Sequence, residues 1–206
     1  MSRTNKNFTS KQRELLNQIW SIFLSKGYQN TTLSLILKEL NISKGVFYHY
    51  FESKEQCAEA AVEIYSEMLV EKTIIRCQEN GFNNQGPIKK LKMLIEQCKI
   101  LFAENMETLQ GINSAANRAF HQMLMVALTK KFSILYSDVI EEGIQQGIFN
   151  TSYPLEFSEM FLTLSNFYFD EDFFGWRPDE LPNKVNAFFE LLSKGLDIDI
   201  PLNEMF

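Results

Sequence analysis

Apolar residues recur at helical spacing along nearly the whole chain. In the first stretch Leu15, Ile19 and Phe23 fall on one face. Thr9, with Gln12 three residues later, predicts where that helix begins, and Gly27 predicts where it ends. Because no segment shows the strict alternation of a half-buried strand, the pattern predicts an all-α protein.

Two short helices follow, each of about two turns and separated by a turn of roughly three residues, which are the proportions of a helix-turn-helix. Either Thr31 or Thr32 can cap the first of them, and Asn41 interrupts it. Ser43 is placed to cap the second. We therefore predict a helix-turn-helix at about residues 32–51.

Further helices are predicted across the rest of the chain. One begins at Ser53 and runs to about Cys77, and the polar, glycine-containing segment 80–87 then reads as a loop. Proline opens the next helix at Pro87 and a later one at Pro154, and a long helix fills most of the segment from about residue 115 to Gly147. With a last helix after residue 178, the pattern predicts about nine helices.

Charge is distributed unevenly along the sequence. The net charge of −6 argues at first against a nucleic-acid partner. Residues 1–55, however, carry a net charge of +4, which leaves −10 for the remainder. A basic N-terminal segment joined to an acidic body is what a protein with one DNA-facing end has.

Other classes of function find little support in the sequence. The three cysteines are far apart and only two histidines are present, so we expect no metal site and no cofactor. Neither a phosphate-binding glycine loop nor a hydrolase motif is found, and we expect no enzymatic activity. No apolar run approaches the roughly 20 residues of a membrane span, and the N-terminus is polar, so we expect a cytoplasmic protein.

The second helix of the helix-turn-helix carries the candidate chemistry. Ile42 and Phe47 are spaced as a hydrophobic staple, which turns the remaining side chains outward. The outward set is Lys44, Gly45, Val46, Tyr48 and His49. A glycine inside a helix costs about 1 kcal/mol relative to alanine. Close approach of a DNA backbone would explain its presence.

Residues 9–69 resemble the DNA-binding domain of the TetR family of bacterial transcriptional regulators. The resemblance rests on Thr31–Thr32, Ile36, the run from Leu40 to Phe51, and Ser53-Lys54-Glu55. Leu37 and Leu40-Asn41 depart from the small residues that the family usually has there, on the packing side and in the turn. The family match therefore predicts a three-helix DNA-binding domain at residues 9–69.

The resemblance also implies how this domain meets a duplex. By position, Lys44, Val46 and Tyr48 would face the major groove, while His49 and Tyr50 would be shared between phosphates and bases. Further predicted contacts are Ser43, Gly45, Thr31, Thr32 and a phosphate contact from Lys54. Structural roles compete with several of these: Thr31 and Thr32 are caps first, His49 is a surface residue, Tyr50 and Phe51 are core, and Lys54 is a solvated lysine.

For residues 70–206 the resemblance is one of layout, and it implies a helical domain that binds a small molecule and forms a homodimer through its last two helices. Fourteen of the 18 phenylalanines follow residue 80. Candidate dimer residues are Met160, Phe161, Leu164, Val185, Phe188, Phe189 and Leu192. Candidate pocket residues are Cys98, Phe102, Met106, Phe120, Met123 and Met125. Ordinary core packing is the alternative for every one of these residues.

Together these features predict a ligand-responsive, dimeric transcriptional regulator. Such a protein would bind double-stranded DNA at a palindromic operator. Members of the family are usually repressors, and binding of a small molecule releases them from the DNA. The alternatives are an activator without small-molecule induction and a helical scaffold that binds a protein partner and no DNA. The sequence leaves the effector and the operator sequence open.

Overall fold

A computed structural model of the chain describes residues 9–105, 107, 109, 111–169 and 174–198. Within these ranges it has eight α-helices and no β-strand. The helices are α1 (Ser10–Lys26), α2 (Leu33–Glu39), α3 (Lys44–Tyr50), α4 (Lys54–Glu79), α5 (Pro87–Glu104), α6 (Arg118–Gln145), α7 (Pro154–Phe167) and α8 (Leu181–Gly195). The predicted all-α fold is confirmed, with a helix count close to the predicted one.

Side-chain caps begin the first three helices. The hydroxyl oxygens of Thr9, Thr32 and Ser43 each accept a hydrogen bond at 3.2 Å from the backbone N–H three residues later. These bonds satisfy donors that a helix N-terminus otherwise leaves without a partner. Thr32, rather than its neighbour, is therefore the cap of α2. The turn before α3 passes through Asn41, a non-glycine residue with a φ of 50°, in the left-handed region that asparagine tolerates.

Residue contacts divide the chain into two compact units, and neither is one continuous segment. The first unit contains the described residues up to 68 together with 105–127, and the second contains 69–104 together with the described residues from 128 onward. The division falls within α4 and within α6. The stretch 105–127 thus joins the residues that were predicted to bind DNA.

Aromatic rings build the core of the first unit around Phe120, which is fully buried. Its ring centroid lies 5.0 Å from that of Trp20, 5.2 Å from that of Phe23 and 5.9 Å from that of Tyr28. Trp20 also stacks on Tyr65 of α4, with a centroid separation of 4.1 Å. The beginning of α6 therefore packs on α1 and on the loop that follows it.

Asn117 fixes the backbone of that same loop. Its side-chain oxygen accepts from Tyr28 N–H at 2.7 Å, and its amide nitrogen donates to the carbonyls of Leu24 at 3.3 Å and Gly111 at 2.9 Å. The neighbouring Ala116 carbonyl accepts from Gln29 N–H at 2.9 Å. Because Asn117 is fully buried, its loss would leave the Tyr28 N–H and the Leu24 carbonyl without the partner it provides.

In the second unit, phenylalanines dominate the packing of α7 against α8. Phe188 and Leu192 form a buried cluster with four half-buried rings, those of Phe157, Phe161, Phe169 and Phe189, and with Ile198. At the end of α6 a Cβ on Gly143 would lie 2.1 Å from the ring of Phe149, so only glycine lets that ring close over the helix. None of the described helices combines the length and the apolar character needed to cross a membrane.

Candidate nucleic-acid interface

The helix α3 has a buried side and an exposed side. Phe47 is fully buried, and its ring lies 5.3 Å from that of Phe51, which is also buried. At the far end, the Tyr50 carbonyl accepts a hydrogen bond of 3.3 Å from Gln12 Nε2 of α1. The serine cap at one end and this bond at the other hold α3 in a single orientation within the first unit.

The exposed side of α3 displays the residues predicted to face DNA. Lys44, Gly45 and His49 are exposed. Val46 and Tyr48 expose 41% and 48% of their surface, a large fraction for apolar and aromatic side chains. The Lys44 ammonium lies 5.7 Å from the centroid of the Tyr48 ring, so a cation and an aromatic face are presented together. Contact of these residues with DNA stays a prediction.

Gly45 has no packing reason to be glycine. It lies inside α3, and a Cβ built on it would meet only Ser43 Oγ, at 3.8 Å, which is ordinary contact. Its φ is not in the positive range that favours glycine. Within the described part of the chain, no contact therefore compensates the cost of glycine in this helix.

Two of the predicted contacts are instead used to hold the loop between α1 and α2. Thr31 is fully buried and its hydroxyl donates to the Gly27 carbonyl at 2.7 Å. In this structure the buried hydroxyl of Thr31 faces the Gly27 carbonyl and not solvent, and a DNA contact from Thr31 stays a prediction. The ammonium of Lys54 donates to the Tyr28 carbonyl at 3.1 Å and lies 4.4 Å from the centroid of the Tyr28 ring. Thr32 is exposed and Tyr50 is half-buried.

A cavity of about 400 Å³ lies in the second unit, between α5, α6 and α7. Of the predicted pocket residues, Cys98 and Phe102 line it. Phe120 does not, since it belongs to the aromatic core of the first unit. Met123 and Met125 also lie in the first unit, where they are half-buried. Met106 lies outside the described residues. Helical periodicity predicted that these apolar residues are buried, but it could not show which of the two units each one belongs to.

Sequence reasoning missed Tyr136, which borders this cavity and is a buried polar residue. Its hydroxyl and the thiol of Cys98 share a hydrogen bond. Burial is the main cause that raises the pKa of Cys98 to about 12, and it raises the pKa of Cys77 to about 11. Both thiols are therefore protonated and unreactive near neutral pH. Among the described residues, no cluster of His, Cys, Asp and Glu could hold a metal ion.

The residues predicted to form a dimer seam separate into two groups. Phe188 and Leu192 are buried within their own unit, so these two are intradomain core. Met160 and Leu164 of α7 are exposed, and so is Leu191 of α8, which the sequence analysis did not single out. The remaining members are half-buried, namely Phe161, Val185 and Phe189. Among the described residues, Met160, Leu164 and Leu191 thus leave apolar side chains exposed on α7 and α8.

Two family models match the chain. The model for bacterial regulatory proteins of the tetR family matches residues 15–61, and the model for a tetracyclin repressor-like C-terminal domain matches residues 99–191. Among curated relatives, the HTH-type transcriptional regulator YxaF of Bacillus subtilis is 30% identical over 102 residues, which cover 49% of this chain and 51% of YxaF. The matches to curated relatives span about half of their length or less.

Solved structures share the fold over most of its length. A tetR family transcription regulator from Shewanella sp. PV-4 superposes with a TM-score of 0.57 at 16% identity, covering 91% of this chain and 98% of its own. The transcriptional regulator FadR of Bacillus subtilis, solved in complex with stearoyl-CoA, superposes with a TM-score of 0.50 at 17% identity, covering 91% and 99%. At these identities the likeness concerns the fold.

Proposed function

Because the chain belongs to the tetR family of bacterial regulatory proteins, we propose that it is a transcriptional regulator that binds double-stranded DNA through α3. The observation that carries this proposal is the exposed side of α3, where Val46, Tyr48 and Lys44 project from a capped and anchored helix. A second helix of this kind lies in the major groove with its N-terminal residues at base edges. The +4 charge of residues 1–55 would draw this end of the chain to the duplex.

Gly45 also supports this proposal. An exposed helical glycine that packing does not require is explained if the phosphate backbone passes too close for a Cβ. Ser43, Thr32, His49 and Tyr50 complete the proposed contact surface. Lys54 contributes by holding the loop before α2, and it reaches a phosphate only if it leaves the Tyr28 carbonyl.

The operator in this proposal is a palindrome read by a homodimer. Two copies would meet through the apolar surface of Met160, Leu164 and Leu191, whose exposure in a single chain is otherwise unfavourable. A twofold axis then places the two α3 helices to read half-sites about 34–36 Å apart, one turn of DNA. Operator symmetry follows from the symmetry of the protein.

The regulator in this proposal is a repressor released by a small molecule. The cavity of about 400 Å³ falls in the size range of ligand pockets, and a protein of the same fold has been solved with stearoyl-CoA. Helices α4 and α6 each contribute to both units, so an altered path of either helix changes the unit that carries α3. A coupling of about 1–3 kcal/mol is typical of such allosteric release.

Selection from random duplexes tests the DNA-binding part of this proposal. The full chain should enrich a palindromic sequence, and its affinity for that sequence should fall linearly with salt on logarithmic axes. Enrichment of no sequence, together with equal affinity for the selected and random duplexes at moderate salt, would refute it. That result would favour the scaffold alternative.

A further inference from the structure

We infer that the cavity of the second unit takes a linear alkyl chain that ends in an anionic group. This inference deepens the proposed function, since it names the chemical class of the effector. It rests on the lining of the cavity, on a second cavity beside it, and on the position of one lysine.

The interior of the larger cavity is apolar. Half of its twelve lining residues are aliphatic or phenylalanine side chains, namely Ile95, Phe102, Leu128, Phe132, Phe161 and Leu162. The two polar groups that accompany them, the Tyr136 hydroxyl and the Cys98 thiol, already bond to each other. A ligand in the interior therefore has no polar group to satisfy, and a hydrocarbon is the chemistry that fits.

A second, narrow cavity of about 20 Å³ adjoins the first. The two cavities share Ile95, Tyr136 and Phe161 as wall residues. Beyond that wall the lining is aliphatic and aromatic, apart from Ser158, whose hydroxyl donates to the Pro154 carbonyl at 2.8 Å. A space of this size has room for about one water-sized group, so it admits the tip of a slender chain and excludes a ring system.

Polar side chains border the larger cavity on three helices. They are Lys99 of α5, Thr129 of α6, and Ser165 and Asn166 of α7. Lys99 and Asn166 are exposed, so this border opens to solvent. Among the described residues no carboxylate forms an ion pair with Lys99. An ammonium group at the mouth of an apolar cavity favours a ligand whose exposed end is negative.

Calorimetric titration of the full chain with octanoate, dodecanoate and hexadecanoate, below their micellar concentrations, tests the alkyl part. We expect the affinity to rise about fifteenfold for each added pair of methylenes, until the cavities are filled. The primary alcohols of the same lengths should bind about five- to tenfold more weakly than the carboxylates, and this difference should shrink at high salt. Affinity that is independent of chain length, or equal for alcohols and carboxylates, would overturn the inference.

Substitution of Lys99 tests the anionic end. Lys99→Gln should abolish the preference for carboxylate over alcohol and leave the affinity for the alcohol unchanged. Lys89→Gln, an exposed lysine on the same helix that borders neither cavity, is the matched control and should keep the preference. If both variants behave alike, Lys99 does not recognise the ligand and the inference fails.

Ile95→Phe tests the passage between the cavities. It should remove the advantage of hexadecanoate over dodecanoate while octanoate binds as before. Octanoate binding and an unchanged melting temperature would show that the variant folds. If it does not fold, the chain-length series on the unsubstituted protein still tests the inference. Retention of the full chain-length dependence in a folded Ile95→Phe variant would overturn the continuous path.

Two further comparisons are needed. The first identifies the source of the anionic group, and the second separates ligand binding from release of DNA. If hexadecanoate binds more tightly than its coenzyme A thioester, the anionic end is the free carboxylate. If the thioester binds more tightly, the anionic end is formed by the phosphates of coenzyme A. Either result supports a ligand with an alkyl chain and an anionic end. Carboxylates that bind without releasing DNA support the inference and contradict ligand release. A DNA complex that is released by other molecules, with no carboxylate binding, overturns the inference alone.

Discussion

Val46 and Tyr48 leave apolar surface in water on a helix that could have carried polar residues there. A monomeric surface tolerates single exposed apolar side chains, but these two are adjacent to a lysine and an unneeded glycine on the same short helix. Thymine methyl groups and base edges in the major groove are surfaces that such side chains complement. The individual residues of α3 are therefore the place to test recognition.

Tyr48→Ala removes an exposed side chain and should leave the fold intact. We expect operator affinity to fall by about 1–3 kcal/mol, the usual contribution of a base contact, while the dimer persists. Fluorescence anisotropy of labelled operator measures the affinity. Tyr48→Phe serves as the matched variant that separates the hydroxyl from the ring, and an unaltered affinity in both variants would remove Tyr48 from the interface.

Gly45→Ala should act in opposite directions on the fold and on DNA binding. A Cβ at this position meets no closer atom than Ser43 Oγ at 3.8 Å, so alanine should stabilise the folded state by about 0.5–1 kcal/mol. The same methyl group should weaken operator binding if the DNA backbone passes close by. Urea unfolding and anisotropy measure the two effects; equal or tighter DNA binding would contradict the close approach.

At this scale the sequence identified the outward face of α3, because Ser43, Phe47 and helical periodicity act over a few residues. It could not decide between alternative roles for a single polar residue. Thr31 and Lys54 each have hydrogen-bonding groups suited to a phosphate, yet their partners are the carbonyls of Gly27 and Tyr28. Only the folded backbone brings those carbonyls within reach.

At the scale of elements, the ends of the helices were predictable and their packing was not. Thr9, Thr32 and Ser43 cap their helices through bonds that span three residues, which a sequence shows directly. The contact between Asn117 and Tyr28 spans 89 residues, and no periodicity reports it. Phe120 was for the same reason assigned to a pocket, although it packs on Trp20 and Phe23.

Asn117→Ala tests how strongly the start of α6 holds the loop between α1 and α2. The substitution removes three hydrogen bonds and leaves the buried N–H of Tyr28 without its acceptor, so we expect a loss of about 2–4 kcal/mol in the free energy of unfolding. Urea denaturation measures it. Asn113→Ala, at an exposed position nearby, is the control. A similarly small loss of unfolding free energy in both variants would show that the loop does not depend on Asn117.

At the scale of the whole molecule, the apolar surface of α7 and α8 predicts the state of association. Leu191→Glu places a charge on a side chain that is 60% exposed, so a single chain should fold normally. A dimer formed through this surface should dissociate, and operator affinity should fall with it. Sedimentation equilibrium measures the mass. Ile134→Glu, at a similarly exposed position on α6 (55%), should remain dimeric; dissociation of both variants, or of neither, would argue against this surface.

Alkaline pH should destabilise the protein as a whole. Burial raises the pKa of Cys77 to about 11 and of Cys98 and Tyr65 to about 12, whereas unfolded thiols titrate near about 8.5. The unfolded chain thus loses protons first, so stability is fully present below about pH 8.5 and falls as pH rises from there towards 11–12. Urea unfolding across this range tests it, with a Cys77→Ala, Cys98→Ala variant expected to fall less steeply. Stability that rises with pH would contradict the assignment.

The asymmetry of charge and the family of the chain were visible in the sequence, and so was the abundance of phenylalanine after residue 80. The division of the described residues into two units was not, because 105–127 carries the same apolar periodicity as its neighbours. Leu128 and Phe132 line the cavity of one unit, while Leu124, one turn earlier, is fully buried in the other. A continuous helix offers no local signal for such a change.

The attachment of 105–127 to the first unit has a consequence for exchanging parts between regulators. A hybrid that joins residues 1–68 to a foreign ligand-binding domain would leave the N–H of Tyr28 and the carbonyl of Leu24 without their partner Asn117. It would also remove Phe120 from the ring cluster that surrounds it. The portable module is the N-terminal segment plus the beginning of α6. Recombination, in the laboratory or in evolution, must therefore transfer these two separate segments together. Crossovers placed at residue 69 alone should yield chains that do not fold, so that their DNA specificity cannot be measured.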